Sequence, residues 1–224
     1  MRRTTFTARF GLVSIAMAGI ALLAAPEAQS GSKTSVVTDP EGDAFINFNF
    51  VEPQEAPDYL DLIRGEITLQ GGIFIFKFTV AGPVPDEPFV PQGRVISWDW
   101  LIDTDPATFP TGGFLPPGFS APFDFVVSVL WDGTDFDAIL TDRRPSLLGE
   151  DAIVTPIPFN IDVTSEGSLL RGELSASVSS RMLDRPRSFG WLGGTALIPS
   201  LGDNLSALLV DLLSDDGRAA WPAE

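Results

Sequence analysis

The segment GIFIFKFTV, residues 72–80, decides the fold class. Its side chains separate into two faces with a period of two: Phe74, Phe76, Phe78 and Val80 on one, and Ile73, Ile75, Lys77 and Thr79 on the other. This alternation is typical of a β-strand, because successive side chains of a strand point to opposite faces of the sheet. The segment is therefore predicted to be a strand with its phenylalanine face in a hydrophobic core.

The preceding segment, residues 60–69, is predicted to be the neighbouring strand. It places Ile63, Ile67 and Leu69 on one face and polar side chains on the other. The break Gln70-Gly71-Gly72 between the two segments favours a tight turn. The two segments are therefore predicted to form a hairpin.

Further apolar alternation predicts more strands along the chain. Segments 95–103 and 123–131 alternate in the same way, and Asp132-Gly133 predicts a turn into a strand at 136–141. Segments 169–178 and 189–198 are further strand candidates, while 205–213 fits a strand or a short helix. With 19 prolines and 21 glycines spread along the chain, few windows remain for a long helix. We predict an all-β fold, an antiparallel β-sandwich of the immunoglobulin or jelly-roll kind, with surface loops at 82–93 and 106–122.

The N-terminal segment predicts export. Arg2, Arg3 and Arg9 precede an apolar run at 10–25, and small residues, Ala28 and Ser30, follow it. This is the layout of a cleavable signal peptide, and the run is shorter than the roughly 20 residues of a membrane-spanning helix. We predict a signal peptide at 1–30, a single domain at 31–224 and a periplasmic or extracellular location with no stable membrane span. A permanent anchor is the alternative.

Composition excludes several classes of function. The chain has no histidine and no cysteine, which rules out Ser-His-Asp and Cys-His catalysis, histidine-ligated zinc and disulfides. Its net charge is −16, and removal of three arginines and one glutamate with residues 1–30 makes it −18. Nucleic acid is therefore excluded as a partner, since phosphates require clustered Lys and Arg. We predict no enzyme, with an acid-residue glycoside hydrolase as the less favoured alternative.

The strongest candidate for a metal site is an acidic turn near the start of the domain. It comprises Asp39, Glu41 and Asp43 in the sequence DPEGD, followed by Asp58 and Asp61 where the first hairpin strand begins. Hard carboxylate oxygens in a Gly/Pro turn suit Ca²⁺, which takes 6–8 oxygen ligands at about 2.3–2.6 Å. The alternative is an ordinary acidic turn whose side chains bind nearby backbone N–H groups.

Weaker ligand-binding candidates lie at two other places. Asp103 and Asp105 follow the predicted strand at 95–103 and could bind a metal or sugar hydroxyls, although they could equally terminate the strand. Trp191, beside glycines, and Trp221, near the C-terminus, are candidate sugar-stacking faces. Trp98 and Trp100 share the apolar face of their strand and are predicted to lie in the core.

Several short motifs together resemble a known group of proteins. They are DPEGD (39–43), PDYLDL (57–62), FIFKFTV (74–80), LIDTDP (101–106) and LVDLLSDDG (209–217). The chain resembles the extracellular β-sandwich modules related to family 9 carbohydrate-binding modules and to DOMON-type domains, which occur free or appended to secreted bacterial enzymes. The resemblance implies a bound calcium near Asp39, Asp43 and Asp61.

The sequence therefore predicts a secreted, non-catalytic module that binds a carbohydrate or a cell-envelope component and carries a structural calcium. The alternative from another class is a structural or partner-binding envelope protein without a small ligand. Such a protein would use a sheet edge or the 106–122 loop as its interface.

Overall fold

The structure is a computed structural model that describes residues 32–46, 54–91, 94–104, 123–199, 208–213 and 219–221. The described residues belong to one compact unit, Gly31–Glu224. The predicted signal peptide and the predicted loop at 106–122 lie outside the described residues. The described part of the chain contains no helix long and apolar enough to cross a membrane.

The described elements are almost entirely strands. In chain order they are β1 (Lys33–Thr38), β2 (Phe45–Ile46), β3 (Gln54–Glu55), a 3-10 turn (Asp58–Leu60), β4 (Leu62–Gln70), β5 (Ile73–Val80), β6 (Arg94–Asp103), β7 (Phe125–Trp131), β8 (Phe136–Asp142), the helical turn α1 (Arg144–Leu147), β9 (Ile153–Pro156), β10 (Phe159–Glu166), β11 (Leu169–Ser179), β12 (Phe189–Pro199), β13 (Leu208–Leu213) and β14 (Ala219–Trp221).

Two antiparallel sheets form the two layers of a sandwich. One has the strand order β1-β4-β5-β11-β10, and the other has β13-β12-β6-β7-β8-β9, with β14 also pairing with β12. Strands β2 and β3 form a small separate pair. The prediction of an all-β antiparallel sandwich is confirmed, and the last uncertain segment contains a strand, β13.

Aromatic side chains from both layers form the core. Phe74, Phe76 and Phe78 of β5 are fully buried, as their alternation predicts. Phe78 stacks on Trp100 of β6, with ring centroids 3.9 Å apart and an interplanar angle of 6°. Trp98 and Trp100 are also fully buried, so the prediction of both as core residues is confirmed.

The predicted hairpin of β4 and β5 forms, with one local difference. Gly71 and Gly72 adopt φ of +59° and +82°, as a two-residue hairpin turn of type I′ requires. A bulge between Leu62 and Arg64 inserts Ile63 as an extra residue in the pairing with β5. Leu62 is therefore fully buried while Ile63 is only half-buried, so the predicted inward position of Ile63 is wrong.

The strands that the sequence analysis missed lie mainly at the margins of the sheets. They are β1, β9, β10 and β14, together with the short pair β2 and β3. Such strands bury few side chains; every residue of β10 except Ile161 is exposed. A marginal strand therefore lacks the clean apolar alternation that identifies a central one.

Candidate functional site: an acidic corner

Three segments that are distant in sequence meet at one corner of the sandwich. The turn at 39–43 follows β1, and its Asp39 N–H donates to the carbonyl of Ile63 on β4 at 3.0 Å. Gly42 has φ of +91°, a conformation that side chains disfavour, which explains a glycine here. Asp61 lies between the 3-10 turn and β4, and Asp211 lies on β13. We call Asp39, Asp43, Asp61 and Asp211 the acidic corner.

Three of these carboxylates are close enough to share one ion. Asp39, Asp43 and Asp211 each offer a carboxylate oxygen, and these oxygens all lie within 4.8 Å of one another. Asp211 is 7% exposed, while Asp39 and Asp43 are half-buried. Two oxygens that bind the same calcium ion at about 2.4 Å can be at most about 4.8 Å apart. The spacing is therefore compatible with a shared divalent cation.

The fourth carboxylate, Asp61, is hydrogen-bonded to the backbone through one oxygen, and its other oxygen could bind a cation. Asp61 is 4% exposed, and its Oδ2 accepts a hydrogen bond from the N–H of Gly42 at 2.7 Å. Its Oδ1 is buried and has no hydrogen-bond partner in the described structure. Asp211 is held in a similar way, since its Oδ2 accepts from the N–H of Leu62 at 2.6 Å. A buried carboxylate oxygen without a partner is costly unless a proton or cation satisfies it.

The electrostatics of the corner favour an added positive charge. Burial raises the pKa of Asp211, the Leu62 N–H lowers it, and the charges of Asp43, Asp39 and Asp61 raise it, with a net result of about 7. Burial likewise raises the pKa of Asp61 above its ordinary value, with Asp43 among the charges that add to the effect. The fully ionised corner is therefore unfavourable by itself.

Glu41 and Asp58 lie close enough for their charges to raise the pKa of Asp61, but the cluster of three carboxylates does not include them. Glu41 forms an ion pair with Arg171 of β11 at 2.7 Å, which lowers the pKa of the Glu41 carboxyl. The guanidinium of Arg171 also donates to the carbonyl of Ala81 at 2.6 Å. Asp58 is exposed, and its carbonyl accepts from the N–H of Gly82 at 3.1 Å. Of the five predicted ligands, the structure thus gathers Asp39, Asp43 and Asp61 at the corner, and it adds Asp211.

Asp211 was not among the predicted ligands, although the sequence contains a signal for it. The residue interrupts the apolar run LLVDLL of β13. A carboxylate inside a buried strand requires a compensating partner, and this requirement marks it as a candidate ligand.

The predicted tryptophan platform is not present. Trp191 is fully buried, and its Nε1–H donates to Ser35 Oγ at 3.1 Å. Trp221 is 2% exposed, and its ring stacks on Phe189 with centroids 5.8 Å apart. The prediction of both as accessible sugar-binding faces is wrong. The glycines beside Trp191 are strand residues that allow close packing: a Cβ on Gly193 would lie 2.6 Å from a ring carbon of Phe78.

The predicted pair Asp103 and Asp105 is only partly described. Asp103 is 1% exposed at the end of β6, and Asp105 lies outside the described residues. Next to Asp103, the N–H of Thr104 donates to Asp124 Oδ2 at 2.9 Å, and the Thr104 hydroxyl donates to the same oxygen. These contacts fit the interpretation of this segment as the end of a strand.

A shallow groove opens between the sheets on the side of β9. It has a volume of about 200 Å³, and its lining residues are Leu140, Asp142, Ile153, Thr155 and Met182. The single acid in this lining, Asp142, forms a salt bridge with Arg144 at 2.6 Å that lowers the pKa of Asp142. Glycoside hydrolysis needs two facing carboxyl groups about 5–10 Å apart, and one lining acid does not supply that pair.

Comparison with known proteins does not assign a family. The chain matches no protein-family model, and searches of curated proteins and of solved structures gave no match. The fold and the site define the chain as an antiparallel β-sandwich protein with a clustered acidic corner.

Proposed function

We propose that this chain is an exported, non-catalytic β-sandwich module that holds a calcium ion at its acidic corner and binds a carbohydrate or another cell-envelope component. The observation that carries the calcium proposal is the convergence of Asp39, Asp43 and Asp211 within 4.8 Å of one another. The buried and unpartnered Oδ1 of Asp61, beside these residues, supports the same interpretation independently.

Calcium fits this donor set better than magnesium does. Ca²⁺ accepts irregular arrangements of carboxylates, carbonyls and water, whereas Mg²⁺ requires nearly ideal octahedral geometry and keeps several waters. The corner supplies carboxylates from three separate segments and therefore differs from a site built in a single loop. The absence of histidine and cysteine from the chain also favours an oxygen-binding cation.

The ion's role in this proposal is structural. It would join the turn at 39–43, the start of β4 and the strand β13, which are separated by up to about 170 residues of chain. An ion that binds only the folded state stabilises that state by RT ln(1 + [L]/Kd), about 2.7 kcal/mol when its concentration is 100 times Kd.

The predicted export signal and the resemblance of the sequence motifs to carbohydrate-binding and DOMON-type modules support the binding role. Among the aromatic side chains that the structure describes, the exposed ones are Phe45 on β2, Phe89 in the loop after β5 and Phe159 on β10. The carbohydrate part of the proposal therefore rests on the sequence, and the calcium part rests on the geometry.

Thermal unfolding of the purified protein tests the calcium part. We expect the melting temperature in EDTA to rise by several degrees across a calcium titration and then to saturate, while equal magnesium has a smaller effect. An unchanged melting curve would show that the acidic corner binds no calcium and is an ordinary acidic turn. Retention on insoluble polysaccharides in calcium, with bovine albumin as the control, tests the carbohydrate part separately.

A further inference from the structure

We propose that β10, Phe159–Glu166, is a docking edge that accepts an extended basic strand of a partner protein as an additional strand of its sheet. This inference is independent of the calcium site. It rests on the pairing, exposure and charge of β10.

The first observation is that β10 is a long and regular edge strand. It lies at the end of the five-stranded sheet and pairs with β11 from Phe159 opposite Ala176 to Glu166 opposite Leu169, without a register shift. No other strand of the described chain lies on its far side. Among the described residues, the outward backbone N–H and C=O groups of β10 therefore have no strand partner, and such groups are a template for another strand.

The second observation is an uncovered apolar face. Ile161 pairs with Leu174, which is fully buried, so the odd-numbered residues of β10 point toward the core side of the sheet. Yet Phe159 is 39% exposed, and Val163 is 56% exposed. The opposite sheet covers this region poorly, because its edge strand on that side, β9, has only four residues. An added strand would cover apolar surface that the sandwich leaves open.

The third observation is that the only charged side chains of β10, Asp162 and Glu166, are acidic. Natural edge strands are protected by charged side chains, lysine above all, by proline or a bulge, or by being very short. The neighbouring edge β9 is short and ends at Pro156, and β1, at the far edge of the same sheet, begins with Lys33. The sequence of β10, FNIDVTSE, contains neither lysine nor proline.

Charge selects the kind of partner. On the outer face of the sheet, Asp162 lies directly opposite Glu173, which is paired with Lys77 at 3.0 Å. Glu166, at the end of β10, has a side chain that is 79% exposed and lies 3.8 Å from the guanidinium of Arg171. A basic side chain on an added strand would lie directly beside Asp162, whereas Glu173 is one strand further in. A second copy of this chain would instead place two acidic strands side by side on molecules of charge −16.

The partner segment is therefore an extended strand with apolar side chains on one face and Lys or Arg on the other. This mode of recognition takes affinity from backbone hydrogen bonds and specificity from alternate side chains. The probe for the test is the synthetic peptide acetyl-KVKVKVKV-amide. Its controls are the block-order peptide acetyl-KKKKVVVV-amide and the acidic peptide acetyl-EVEVEVEV-amide.

Calorimetric titration of the full chain with these peptides at physiological salt tests the proposal. We expect the alternating basic peptide to bind at least tenfold more tightly than either control. Val163→Lys, which places an inward charge on the edge, is expected to reduce that affinity at least tenfold. Because Val163 is largely exposed, the melting temperature of this variant should remain close to that of the wild type.

Two further variants make the test specific. Val36→Lys alters a similarly exposed valine on β1, at the opposite edge of the sheet, and should leave peptide binding unchanged. Asp162→Lys should weaken binding of the basic peptide and strengthen binding of the acidic one. Equal binding of the block-order peptide, or unchanged binding by Val163→Lys, would overturn the proposal. So would a wild-type dimer that Val163→Lys dissociates, as measured by light scattering, since a second copy would then occupy the edge.

Discussion

Replacement of Asp211 by asparagine is expected to abolish the calcium-dependent rise in melting temperature and, in EDTA, to make the protein more stable at pH 8. The asparagine side-chain oxygen can still accept the hydrogen bond from Leu62, so the backbone contact at 2.6 Å is preserved. What the substitution removes is one buried negative charge beside Asp39 and Asp43. Opposite effects with and without the ion distinguish a cation ligand from a carboxylate whose role is only to hold the backbone.

Thermal unfolding in EDTA and in saturating calcium measures both effects. The matched control is Asp86→Asn, an exposed acid in the loop after β5, which should retain the full calcium response. If Asp211→Asn still responds to calcium like the wild type, the ion does not bind at the acidic corner. If the variant also has the stability of the wild type in EDTA, Asp211 acts only as a hydrogen-bond acceptor for Leu62, a role that asparagine fills equally well.

The raised pKa of Asp211 also predicts how stability depends on pH. In the ion-free folded protein its pKa is about 7, while in the unfolded chain it has the ordinary value of 3.8. Between these values the folded state retains a proton that the unfolded state has lost, so stability falls as the pH rises from about 4 to 7 and then levels off. Across this range the free energy of unfolding is expected to fall by an amount on the order of 4 kcal/mol.

Melting temperatures measured in EDTA between pH 5 and pH 8 test this dependence. The melting temperature of Asp211→Asn, relative to that of the wild type, should be higher at pH 8 than at pH 5. Saturating calcium should reduce the fall in wild-type stability, because the ion stabilises the charged form. A difference that is independent of pH would show that Asp211 titrates like an ordinary exposed carboxyl.

Truncation of Trp191 to alanine is expected to lower the free energy of unfolding by about 3–5 kcal/mol, the usual cost of deleting a buried aromatic side chain. Trp191 is fully buried on β12. Its indole N–H donates to Ser35 Oγ, whose own hydroxyl donates to the carbonyl of Ala220 at 2.8 Å. The variant therefore loses both core volume and a contact that links β12 to β1 and β14.

Chemical denaturation of Trp191→Ala measures this loss. Trp191→Phe keeps most of the ring and should cost only about 1–2 kcal/mol, chiefly from the lost hydrogen bond. Phe89→Ala, at a side chain that is 76% exposed, serves as the surface control and should change stability by less than about 0.5 kcal/mol. Wild-type stability of Trp191→Ala, combined with loss of polysaccharide retention, would instead support a ligand-binding role for Trp191.

The β10–β11 hairpin contains a turn signal in its sequence that the strand prediction did not use. Its turn consists of Gly167, with φ of +64°, and Ser168, between the paired residues Glu166 and Leu169. A two-residue Gly-Ser loop is a recognised hairpin signal. The strand before it was missed because its side chains are mostly exposed on both faces, so burial imposed no clear alternation on them.

The sequence by itself determined the central strands and the class of the fold. The alternation in β5, β6 and β7 reflects burial of one face of each strand, and burial constrains side chains two residues apart. The turns at Gly71-Gly72 and Asp132-Gly133 are equally local, because they depend on the backbone conformations that the glycines allow. Three of the four residues of the acidic corner were recognisable from such local features, since Asp39 and Asp43 lie in one short turn and Asp61 immediately precedes β4.

Only the tertiary structure decided which distant residues join that turn and which aromatic side chains face solvent. Asp211 reaches the corner because β13 pairs at the edge of one sheet and lies beside the start of β4 in the other, 149 residues from Leu62 in sequence. Trp191 is buried because β1 and β14 close over its end of β12. Both outcomes depend on how two sheets pack, and packing between sheets is a long-range property that no window of neighbouring residues contains.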